Sequence, residues 1–96
     1  MSKRRKNESI IDGRKRCFFC GSQQMLQKHH AMHGTANRQL AEKDGLWVWL
    51  CLKCHMDLHD HGTGDSNLKA HAQRCWMEHY HKTEEDFRKR YGKSFL

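Results

Sequence analysis

Two Cys-x-x-Cys pairs, Cys17-Phe-Phe-Cys20 and Cys51-Leu-Lys-Cys54, constrain this chain more than anything else in it. With 30 residues between them, the pairs can converge on one tetrahedral zinc ion, a soft-ligand site with no open position. In such an arrangement one pair sits on a hairpin-like knuckle and the other at the start of a helix, so the metal clamps distant parts of the chain. The composition calls for that staple: 96 residues at 36% hydrophobic content suffice for one small domain but not for a self-sufficient core. Structural zinc supplies on the order of 10 kcal/mol of apparent folding free energy in finger peptides, so chelation is expected to unfold the domain. The fifth cysteine, Cys75, falls on an apolar helix face and reads as a buried free thiol rather than a ligand.

The formal charge of +7 is unevenly placed. Residues 1–16 hold Lys3, Arg4, Arg5, Lys6, Arg14, Lys15 and Arg16 against Glu8 and Asp12. This segment is read as a basic flexible arm, with order expected near Ile10-Ile11, and residues 17–96 as a single domain. A basic arm favours a polyanion by neutralising phosphates and releasing counterions, without reading sequence. The start, Met-Ser-Lys-Arg-Arg-Lys, has no apolar run resembling a signal peptide, so reduced thiolates on metal in a cytoplasmic setting are expected rather than disulfides. No stretch approaches the roughly 18 apolar residues needed to cross a bilayer, and no membrane partner is expected.

An extended segment is expected from Met25 to Met32, followed by a short helix from Ala36 to Lys43 with Thr35 as cap and Asp44-Gly45 as stop. Leu46-Trp47-Val48-Trp49-Leu50 is the strongest strand signal. Further helices are expected from near Cys54 to about Asp60, from Leu68 to about His79 after an Asp65-Ser66-Asn67 cap, and from Thr83-Glu84-Glu85-Asp86 to Gly92. The class is therefore α+β.

Between and after the cysteines lie His29-His30 and His55-Met-Asp-Leu-His59. Four residues apart on a helix, His55 and His59 point the same way and can share one divalent ion. Adjacent residues of a strand face opposite sides, so one member of the doublet is expected to turn to the helix and complete a three-histidine site. The other is left free to accept a proton near neutral pH, as a general base would. A three-histidine site with open positions suits Lewis-acid hydrolysis of a phosphodiester. His33, His61, His71, His79 and His81 are read as ordinary surface or incidental histidines.

With these residues in view, the segment Cys17 to His59 resembles the HNH endonucleases, through Cys-Phe-Phe-Cys, Lys28-His29-His30, Asn37 and Leu50-Cys51-Leu-Lys-Cys54-His55-Met-Asp-Leu-His59. The runs Gly34 to Leu46 and Phe87 to Leu96 look like the small HNH proteins encoded by phages and prophages of bacteria, which implies a bacterial host cytoplasm. The resemblance implies a zinc-stapled ββα-metal, treble-clef-like domain with additional C-terminal helices. It implies His29, His55 and His59 as ligands of a catalytic divalent cation (magnesium, manganese, nickel or zinc), His30 as general base, and Asn37 as the residue that orients it. His61 is the alternative to His59 should the helix end early. Asn37 lies 14 residues before Cys51, farther than in many family members, and His29 stands where the family often has aspartate. The implied reaction is hydrolysis of DNA to a 5′-phosphate and a 3′-hydroxyl, with DNA as partner, a phage protein as a possible second partner, and a monomer or dimer as the working form. Two other readings stay open: a non-catalytic zinc-stapled nucleic-acid-binding module, and a phage adaptor displaying Trp47, Trp49 and Trp76.

Overall fold

The computed structural model describes residues 8–96; Lys3, Arg4, Arg5 and Lys6 of the basic arm lie outside the described residues. The order is β1 (Leu26–His30), α1 (Thr35–Asp44), β2 (Trp47–Cys51), α2 (Leu52–His61), α3 (Asp65–Tyr80) and α4 (Glu84–Tyr91). Among the described residues this is an α+β domain with a two-stranded sheet and four helices. The strands are antiparallel, with Leu26 opposite Cys51, His29 opposite Val48 and His30 opposite Trp47. α1 bridges the two strands where a tight turn would otherwise stand.

Most elements differ by one to a few residues from their sequence expectation, for local reasons, while α4 opens on its Thr83 cap and stops at Gly92 as expected. β1 is shorter than Met25 to Met32: Met25, at φ 50°, lies outside the strand, and beyond His30 one more backbone bond, Ala31 N to Leu46 O at 2.9 Å, precedes the turn of the wholly buried Ala31 and Met32 into the core. α1 starts at Thr35, with Gly34 as N-cap and no side-chain cap bond, and ends on Gly45 in the left-handed conformation. Leu52 and Lys53, both helix-compatible, let α2 begin directly from β2. α3 starts at Asp65 because Gly64, at φ 78°, makes the turn, so Asp65 stands in the first turn and does not act as a cap. Gly64 also meets the Cys17–Cys20 knuckle: a Cβ there would lie 2.8 Å from the Phe19 ring.

The core joins Met32, Leu46, Val48, Leu50, Leu58, Leu68 and Phe87, all close to fully buried. Trp76 packs edge-on against Phe87, with ring centroids 5.3 Å apart. Trp47 and Trp76 are buried and Trp49 is half-buried, so tryptophan serves packing more than display. Cys75 is half-buried, with Sγ 3.7 Å from His71 Nε2. Asp44, buried at the end of α1, receives Trp76 Nε1 at 2.9 Å, Tyr91 Oη at 2.7 Å and Arg90 through Nε at 2.6 Å and Nη2 at 2.8 Å. One carboxylate thus ties α1 to α3 and α4. From Ser9 onward the N-terminal segment also lies against the domain: Ser9 is buried with its hydroxyl donating to Trp47 O, and Ile10 N donates to Gly45 O at 2.9 Å. No helix among the described residues is long and apolar enough to cross a membrane.

Candidate metal centre

The four cysteines converge. Sγ atoms of Cys17, Cys20, Cys51 and Cys54 all lie within 4.8 Å of one another, with Cys20 and Cys51 3.6 Å apart. A tetrahedral sulfur shell with Zn–S bonds of about 2.3 Å has edges of about 3.8 Å, so this cluster could hold a structural metal ion of zinc's kind. The knuckle is set by backbone bonds: Cys17 N donates to Ser22 O at 2.8 Å and Gly21 N to Cys17 O at 2.9 Å. Phe18 N reaches Trp49 O at 2.8 Å and fastens the knuckle to β2. Burial raises the Cys17 thiol, but backbone hydrogen bonds at Cys51, Cys20 and Phe19 outweigh it and bring it down to about 6. Burial and the three neighbouring thiols push Cys54 up. Adjacent thiols cannot all ionise unless a cation offsets their repulsion, and a bound metal supplies that charge.

The histidine doublet divides across the hairpin. His29, almost fully buried, turns to α2, where its Nδ1 lies 3.3 Å from His55 Nε2; His59 Nε2 lies 3.0 Å from the same atom. His29, His55 and His59 each offer a nitrogen within 4.8 Å of the others and form a group that could hold a metal ion. The donor chemistry fits: His55 Nδ1–H donates to Gln27 Oε1, which leaves Nε2 with a lone pair facing the other two rings. Burial, then the charges of His55, His59 and His33, lower His29 to about 4. Burial and His59 lower His55 as well. Both rings are therefore neutral at physiological pH, the state a metal ligand requires. α2 continues through His61, and His59 is the helix partner brought to His29 and His55.

His30 turns the other way, to α1, where its Nε2 lies 2.7 Å from Glu42 Oε1. Lys28 Nζ bonds both oxygens of the same carboxylate at 3.3 Å and lies over the Trp47 ring at 4.2 Å. The hydrogen bond from His30, then Lys28, lowers Glu42, so it stays ionised. An ionised Glu42 accepts from Nε2–H and leaves the His30 lone pair on Nδ1. His29, His30, Arg38, His55 and His59 all line one open cavity of about 410 Å³. Asn37 is placed elsewhere: its amide donates to Tyr91 O at 3.1 Å, a tie between α1 and α4, and the polar group at His30 is Glu42.

Sequence reasoning missed Gln27, Glu42 and Arg38. Gln27 stands two residues before His29 on the same strand face, a period-two signal that could have found it. Glu42 and Arg38 stand four apart on α1, a helical signal with no partner visible in the sequence. No family model, curated protein or solved structure matches the chain, so these residues carry the functional argument on their own chemistry.

Proposed function

We propose that this chain is a metal-dependent DNA endonuclease of the HNH type, with His29, His55 and His59 as ligands of one divalent cation and His30 as general base. The observation that carries this reading is the split of the doublet: His29 groups with His55 and His59, His30 is held by Glu42, and both histidines line the same cavity. Bound there, a divalent cation would act as a Lewis acid on the phosphodiester and its leaving 3′-oxygen.

The chain's own residues supply the rest. His30 Nδ1 takes a proton from water, and the Glu42 carboxylate at Nε2 holds the ring's tautomer and stabilises the imidazolium that results. Gln27 holds His55 with its Nε2 inward. Arg38 lines the cavity, and a guanidinium there is suited to a phosphate oxygen. The +7 charge favours a polyanionic substrate.

The test is incubation of the protein with supercoiled plasmid and magnesium, manganese, nickel or zinc, beside a folded His30→Ala variant and an EDTA control. Metal-dependent nicking by the parent protein that disappears in the variant is expected. Binding of DNA by both proteins with cleavage by neither under any metal would replace the nuclease with a zinc-stapled binding module.

A further inference from the structure

A second set of donors abuts the three-histidine group and shares His29 with it. Ligand atoms of His29, His33 and Asp65 also lie within 4.8 Å of one another. Two atoms of this set are buried and make no hydrogen bond among the described residues, His29 Nε2 and Asp65 Oδ1. Asp65 Oδ2 is held by Lys69 Nζ at 2.9 Å, whereas Oδ1 approaches His33 Nε2 to 3.2 Å without hydrogen-bond geometry. An orphaned carboxylate oxygen and an orphaned imidazole nitrogen, both out of water, cost free energy that a cation between them would remove. His29 is 4% exposed, so its Nε2 has no solvent to turn to.

The ring chemistry of His29 makes the two sets alternatives. A neutral imidazole has one lone pair, on Nδ1 or on Nε2 according to tautomer. Nδ1 lies beside His55 Nε2, and Nε2 is the orphaned atom. We propose that His29, His33 and Asp65 form a second station for the divalent cation, with His29 presenting Nδ1 to the His55–His59 station or Nε2 to the Asp65 station. Three imidazoles suit later transition ions, while the carboxylate shifts preference toward harder ions such as manganese. Asp65 thereby sets which metal the centre takes. The inference uses His29 as a ligand, as the nuclease reading does, but it concerns ion binding and holds whether or not DNA is cut.

The experiment uses the full chain with zinc retained on its cysteines and the histidine centre stripped by a weak chelator. Mn²⁺ binding is followed by loss of the free-ion electron paramagnetic resonance signal, and Co²⁺ binding by visible absorption. Loss of outer-shell partners commonly weakens metal binding by about tenfold or more, and loss of a ligand should do at least that. Asp65→Asn and His33→Ala are expected to weaken Mn²⁺ by about tenfold or more and leave Co²⁺ within about twofold; His55→Ala is expected to do the reverse. His33→Ala lies outside α3 and guards against a helix-start effect of Asp65→Asn, and zinc content with circular dichroism reports the fold. Absence of Mn²⁺ binding by the parent protein, unchanged Mn²⁺ affinity in both Asp65→Asn and His33→Ala, or equal weakening of both ions by Asp65→Asn and His55→Ala would overturn the second station. None of these readouts depends on nicking, so a failure here is distinguishable from a failure of the nuclease reading.

Discussion

At the scale of single residues, neighbouring histidines acquire different chemistry from their surroundings. His29 and His30 are consecutive, yet one is buried among imidazoles and the other is paired with a carboxylate. Glu42→Gln keeps the size of the group but removes the charge that steadies a protonated His30. On the proposed reaction it should slow single-turnover nicking by roughly tenfold or more, with DNA affinity little changed. The pH dependence of stability follows from His29. Its ordinary value of 6.5 falls to about 4 in the fold, so between those values the unfolded chain binds a proton that the folded ring refuses. With the histidine centre stripped, stability should therefore drop as pH falls from about 6.5 to about 4, and level off for this group below that range. Urea midpoints at pH 7.5 and 5, compared with those of His29→Gln, should show a shallower dependence in the variant.

At the scale of elements, local chemistry was legible in the sequence and long-range pairing was not. The two Cys-x-x-Cys pairs and the i, i+4 histidines could be read because their geometry follows from spacing along one element. The α4 start was legible for the same reason: Thr83 Oγ1 accepts from Asp86 N at 3.1 Å, and Asp86 Oδ2 accepts from Thr83 N at 3.0 Å. Thr83→Ala should cost about 1 kcal/mol, measured as a lower urea midpoint with unchanged slope. Asp44 shows the other side. Its place before Gly45 marks the end of a helix, but its partners Trp76, Arg90 and Tyr91 stand 32 to 47 residues away. Asn37 errs in the opposite direction, since its position in the motif suggested the base histidine while the fold gives its amide to Tyr91 O.

At the scale of the whole molecule, a polar hub at Asp44 and a cluster of four cysteines that could hold a metal ion supplement a small apolar core. Asp44→Ala would leave the Trp76, Tyr91 and Arg90 donors without their shared acceptor, and a loss of about 3 kcal/mol is expected in urea unfolding. Burial and the Asp44 carboxylate push the Tyr91 phenol up, so it remains a donor throughout the physiological range. The junction of β2 and α2 has a different kind of consequence. Cys51 closes the strand and Leu52 opens the helix, so Cys54, His55 and His59 follow Cys51 without a hinge. A one-residue slip between β1 and β2 would turn His29 away from α2, while Cys51 would stay with the knuckle that Phe18 N fastens to β2. An ion held by all four thiolates would therefore anchor the first turn of α2 and, through that one continuous helix, fix how far His55 and His59 stand from the sulfur cage.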